Sequence, residues 1–246
     1  MSFQGKSILA RNRIVFAWSV VAVALAAVAF TAPANAGLIG QLGILDLDAN
    51  GGINPATGQP WKYDDAYHLI YVTTTTTDAL STDIADYNAF VQADANAQGM
   101  GGVDWFALGS TTSIHARDNA VITGPVINVF NNAAVATDEA DLWNFLFPTS
   151  VLDLSGSPKN VWTGTQAGGV AHGGNQLGAT NGTARMAWSA WSNWGAAWRA
   201  EPTSGLLPMV AISQELTVIP EPSSAMLVLL GLVGLLMVRR KRSLLP

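Results

Sequence analysis

Five of the nine tryptophans fall in one short stretch, Trp162, Trp188, Trp191, Trp194 and Trp198. The last four are spaced 3, 3 and 4, so on a helix they would share one face. An exposed row of indoles stacks on the apolar C–H faces of sugar rings. Trp188, Trp191, Trp194 and Trp198 are therefore the candidate polysaccharide-binding residues. The competing reading is packing: Trp carries a large apolar area, and a domain of this size without disulfides needs it inside.

Asp46-Leu47-Asp48-Ala49-Asn50-Gly51 places an oxygen-bearing side chain at every second position and closes on glycine. Hard cations favour that pattern, so Asp46, Asp48 and Asn50 are candidate calcium ligands in the manner of an EF-hand loop, and Ile53 fits its eighth place. The twelfth place, however, is Thr57 where a bidentate glutamate is needed, and Pro55 interrupts the helix that should follow. An Asp/Asn/Gly turn is the alternative, and no cofactor other than calcium is suggested.

Catalytic groupings are thin. His68, His115 and His172 are scattered, with no metal-ligand spacing, and there is neither a nucleophile elbow nor a phosphate loop. Asp138, Glu139 and Asp141 have the chemistry of glycosidase carboxylates, but acids in the first turn of a helix are already explained by its dipole. In His115-Ala116-Arg117-Asp118 a charge pair supporting a loop competes with a small polar site. Asn181-Gly182-Thr183 matches a glycosylation sequon, though Asn-Gly is also a turn. No enzymatic role is expected.

The elements that must position these residues are read from periodicity. Residues 81–98 predict a helix, with Ile84, Tyr87 and Val91 on one face, Ser81 as cap, Asp83 and Asp86 at the positive end and Gly99 as stop. A second helix is expected over 137–147, ending before Pro148. Strands are expected at 67–73, 126–130, 161–163 and 207–213, and a long Gly-rich loop over 164–182. The class is α+β, in one domain over residues 37–217.

The charge distribution sets that domain apart. The chain has 246 residues, a net charge of −5 and no cysteine. Seven of its 12 cations sit at the ends, leaving five between Gly37 and Ile219 against 16 acids. So acidic a domain repels phosphate backbones, which rules out a nucleic-acid partner, and the missing cysteines rule out disulfide scaffolds and thiolate chemistry. Lys6, Arg11 and Arg13 precede an apolar stretch over 14–31, and Ala34-Asn35-Ala36 follows. Residues 1–36 thus read as a secretory signal peptide cleaved after Ala36, with Ala34 and Ala36 as the small residues of the site; an uncleaved anchor is the alternative. At the other end, residues 223–238 are uncharged and precede Arg239-Arg240-Lys241-Arg242. As a helix this run is about 24 Å long, so it spans a ~30 Å hydrocarbon core only with thinning or snorkelling, the basic cluster staying cytoplasmic. Pro220-Glu221-Pro222 stands directly before it, an extended, helix-excluding segment that an enzyme's cleft could grip.

Pro220-Glu221-Pro222, the short apolar helix and the tail Arg239, Arg240, Lys241 and Arg242 resemble, in order, the PEP-CTERM tripartite sorting signal over residues 218–246. The resemblance implies an exosortase partner, a membrane-anchored precursor, and a final place in the cell envelope or an exopolysaccharide-rich extracellular matrix. The alternative is an ordinary tail anchor.

Within the domain, His68-Leu69-Ile70-Tyr71-Val72, Trp105-Phe106-Ala107-Leu108-Gly109-Ser110, Arg117-Asp118, Pro125-Val126-Ile127-Asn128-Val129, Val161-Trp162-Thr163-Gly164-Thr165 and Pro208-Met209-Val210-Ala211-Ile212 resemble blocks of the endostatin-type branch of the C-type-lectin-like fold. That resemblance implies termini joined in one sheet, with an irregular loop region between. The disulfides, zinc-binding N-terminus and arginine-rich heparin surface of that branch have no counterparts here. The calcium-dependent sugar site of lectins is unsupported too: Asn193 lacks the following Asp, and Glu201-Pro202-Thr203 comes after it rather than before. An adhesive or structural role is expected, with a secreted hydrolase acting on matrix glycans as the alternative.

Overall fold

The computed structural model describes residues 53–62, 64–144, 149–189 and 198–218. The expected signal peptide with Ala34 and Ala36, the calcium ligands Asp46, Asp48 and Asn50, and Trp191 and Trp194 lie outside the described residues. So do Pro220, Glu221, Pro222, the apolar run 223–238 and Arg239 to Arg242. Among the described residues no helix is long and apolar enough to cross a membrane.

The chain forms β1 (Ile53–Asn54), β2 (Gln59–Pro60), β3 (Ala66–Val72), α1 (Ile84–Ala97), β4 (Trp105–Ala107), α2 (Ala116–Asn119), β5 (Val126–Asn128), β6 (Ala134–Ala136) and α3 (Glu139–Asn144). It continues with β7 (Asn160–Trp162), β8 (Thr165–Gln166), β9 (Val170–Ala171), β10 (Thr183–Trp188), β11 (Trp198–Pro202), β12 (Val210–Ser213) and β13 (Leu216–Thr217). The class is α+β, mostly β.

The main sheet runs β4-β12-β3-β5-β6, with β13 also paired to β3. Only β3 and β5 are parallel within it. β3 has neighbours along both edges and is buried on both faces, which is why Tyr67 to Val72 reads as a continuous apolar run rather than an alternation. The pleat still sorts it. Tyr67, Leu69 and Tyr71 join a core with Ile84, Tyr87, Val91 and Ala95 of α1, while Ile70 and Val72 join a second core with Ala116, Leu142 and Trp143 of α2 and α3. A smaller sheet, β11-β10-β7, contributes to both: Trp162 and Met186 to the first, Val161 and Ala187 to the second.

Helix α1 forms where expected, but its cap differs. The Asp83 side chain, not Ser81, accepts the Ala85 N–H at 2.9 Å, because it stands two residues ahead of that orphan donor. Ser81 instead donates to the Asp86 carboxylate at 2.6 Å. The helix ends in a Schellman motif: Gly99 takes φ 77°, its N–H reaches the Asn96 carbonyl, and the Met100 N–H returns to Ala95. The Gly-rich span after β7 is mostly turns, as expected, apart from the short β8–β9 hairpin.

The two ends of the described domain meet. Leu216 and Thr217 pair with Tyr67 and Ala66. Beyond them Asp64 N–H donates to the Val218 carbonyl at 3.1 Å, and Val218 N–H donates to Asp65 at 3.0 Å. Two residues facing one, with Asp64 at φ 72°, make a β-bulge at the seam.

Candidate functional site

The tryptophan row is not a helical face at either of its ends. Trp188 closes β10, opposite Asn160, and Trp198 opens β11, opposite Ala187. A 3-3-4 spacing aligns side chains only at 3.6 residues per turn, and both terminal members stand in antiparallel strands instead. Trp188 is half-buried. Trp162 is fully buried, and its indole N–H donates to the Thr77 carbonyl at 3.0 Å, so it belongs to the core. Between β10 and β11 in the sequence come Trp191 and Trp194, which lie outside the described residues.

Downstream of the candidate calcium ligands, which lie outside the described residues, the exit helix of an EF-hand is absent, as expected from Pro55. Residues 53–60, which in an EF-hand would run into the exit helix, form the hairpin β1–β2. Asn54 turns it: its side chain accepts from Ala56 N–H, and its carbonyl from Gly58 N–H, both at 2.9 Å. Thr57, at the twelfth place, is exposed in that turn. Among the described residues no group of three or more His, Asp or Glu side chains is placed to hold a metal ion.

Two of the three carboxylates considered for hydrolysis, Asp138 and Asp141, are engaged in capping. Asp138 accepts the Asp141 N–H at 2.8 Å at the start of α3, and Asp141 reaches back to accept the Thr137 N–H at 2.9 Å. The segment around His115 braces the β8–β9 hairpin. His115 Nδ1 accepts from Ala171 N–H at 3.0 Å, Arg117 N–H donates to the Gly169 carbonyl, and Arg117 meets Asp118 at 3.8 Å in an exposed pair. On the same Gly-rich stretch, His172 is held below the usual imidazole range by burial and by the Arg185 charge. Arg185 is itself buried, which pushes its guanidinium down to about 10.

Two polar clusters escaped the sequence reading. Asp94 lies on the buried face of α1, three residues after Val91, and its carboxylate accepts from five donors. These are Tyr71 Oη at 3.1 Å, Thr74 N–H at 3.2 Å and Oγ1 at 2.8 Å, and Thr75 N–H at 2.9 Å and Oγ1 at 2.7 Å. An acid at i+3 and i+7 from Val91 and Tyr87 was the available sign. The second cluster surrounds His68, fully buried in β3. Its Nδ1 lies 3.0 Å from the Ser213 carbonyl, which can only accept, so Nδ1 carries the proton; Nε2 accepts from Thr123 N–H at 3.1 Å. Thr123 Oγ1 in turn donates to Glu215. Burial lowers the His68 pKa, against the opposing pull of the Ser213 carbonyl and the Glu215 charge.

No protein-family model matches the chain, and no curated protein is significantly similar to it.

Proposed function

We propose that this is an exported cell-envelope or matrix protein whose acidic domain is C-type-lectin-like, of the endostatin branch, and whose C-terminal tail is a PEP-CTERM signal processed by an exosortase. The role is adhesive or structural, with polysaccharide contacted through Trp188, Trp191, Trp194 and Trp198. The observation that carries the reading is the closure of the domain. Its last strands, β12 and β13, pair with its first long strand, β3, while the loop-rich region and the small sheet are inserted between. The seam ends at Val218, and the Pro-Glu-Pro segment begins two residues later.

Two measurements test the reading. In the native host, Glu221→Ala leaves the tail unprocessed, seen as slower electrophoretic mobility and loss of surface release; unchanged processing identifies a plain anchor. A glycan array probed with residues 37–219, with and without calcium, returns polysaccharide binding that Trp188→Ala weakens. Absence of binding leaves a structural surface protein with no glycan ligand.

A further inference from the structure

Resting on that reading of the tail, we propose that β13 is a latch: the processing enzyme cannot engage Pro220-Glu221-Pro222 until residues 216–218 have left the sheet. Leu216 and Val218 are both buried in the α1-side core, and Leu216 and Thr217 are paired to β3. Val218 has its N–H and its carbonyl committed to Asp65 and Asp64. Only four residues then separate Val218 from the apolar run that begins at Ser223. Fully extended, four residues reach at most about 14 Å. A cleft that binds an extended peptide draws on its main-chain hydrogen-bonding groups. Pro220 and Pro222 have no N–H, so Ile219 and Glu221 carry the only backbone donors between Val218 and Ser223. A cleft needing more on the N-terminal side of the motif must take them from 216–218, where the sheet holds them. Unpairing those three residues lengthens the free tether to about 25 Å and moves the globule away from the enzyme. Local opening of a terminal strand thereby sets the rate of processing.

The test locks the latch in the full-length chain. Ala66 and Thr217 are directly opposed, and opposed residues in an antiparallel pair lie about 4.5–5.5 Å apart at Cα, within disulfide reach. The chain has no cysteine of its own, so pairing is unambiguous. Ala66→Cys with Thr217→Cys, followed in the native host by pulse-chase mobility, is expected to be processed about tenfold or more slowly when oxidised. Dithiothreitol restores the rate, and each single variant behaves as the native chain. A second variant inserts three Gly-Gly-Ser units between Val218 and Ile219 and is expected to be processed faster than the native chain. Native-rate processing of the oxidised double variant, or an unchanged rate with the insertion, overturns the latch. If the native chain is never shortened, or Glu221→Ala is shortened equally, the sorting reading fails and the latch with it.

Discussion

Asp94→Ala should be among the most damaging polar substitutions in the domain. The carboxylate is buried, and it ties the middle of α1 to Tyr71 of β3 and to the threonines that follow that strand. Five donors converge on it, but they do not lose equally. Thr74 and Thr75 are exposed, so their hydroxyl and backbone groups turn to water when the acceptor goes. Tyr71 Oη cannot: the residue is fully buried, with its ring edge-on to Trp105 at 5.0 Å. Stranding that hydroxyl costs about 1–3 kcal/mol, and hydrogen bonds to a charged acceptor contribute about 1.5–3 kcal/mol each. With water recovering most of the loop donors, the net loss is about 3 kcal/mol, or about 6–12 °C in Tm for a domain of this size. Urea unfolding of residues 37–218 measures it directly, and a cycle with Tyr71→Phe isolates the buried bond. A loss below about 1 kcal/mol, or no coupling to Tyr71, would refute the assignment of Asp94 as the tie between helix and sheet.

Acid should weaken the fold through its histidines. The folded pKa of His68 is depressed below its ordinary value near 6.5, so its contribution is complete above that value and is lost as pH falls through the folded pKa. Tm is therefore expected to be flat above about pH 7 and to fall below about pH 6, and His68→Gln should flatten that slope, leaving the part due to His172, which is shifted the same way. Asp153 loses its contribution only at lower pH: burial opposes its ionisation, but hydrogen bonds from Ser155, Ser157 and Lys159 prevail and hold it below the carboxylate range. Gly178→Ala should cost about 2 kcal/mol or more by thermal melting, since φ is 71° and a Cβ would lie 2.4 Å from the Ser81 carbonyl oxygen. Trp162→Ala, at a fully buried ring, should cost about 3–5 kcal/mol in urea unfolding, whereas Trp188→Ala, at a half-exposed strand end, should cost clearly less.

Long elements with a single dominant period were legible in the sequence. Tyr67 to Val72 is apolar throughout because β3 is central, and α1 shows its buried stripe in Ile84, Tyr87 and Val91. The strands β10 and β11 were not legible. Thr-Ala-Arg-Met-Ala-Trp has little β-branching and contains a charge, and it is a strand because β7 and β11 flank it on both sides. The tryptophan spacing was no guide to its two ends, because Trp188 and Trp198 belong to two paired strands. The candidate site suffered most where side-chain partners are distant in sequence. Nothing local announces that Thr123 meets His68, or that Thr74 meets Asp94.

The position of β3 in the sheet links folding to the anchoring proposed above. It is the first long strand of the domain, yet its antiparallel partners β12 and β13 are the last two, separated from it by nearly the whole domain. All four residues of β12 are buried, so neither core is closed until residues 210–218 are in place. Such long-range pairing has to bear the loop-closure entropy before any contact repays it. With export as proposed, a chain threaded from its N-terminus completes its fold only when the segment immediately preceding the apolar tail has emerged. The same residues that finish the sheet are the ones nearest the bilayer in the proposed anchored precursor. Sheet completion and the proposed tail processing then draw on one short stretch of backbone, and a chain that has not finished folding differs from a finished one in whether that stretch is free.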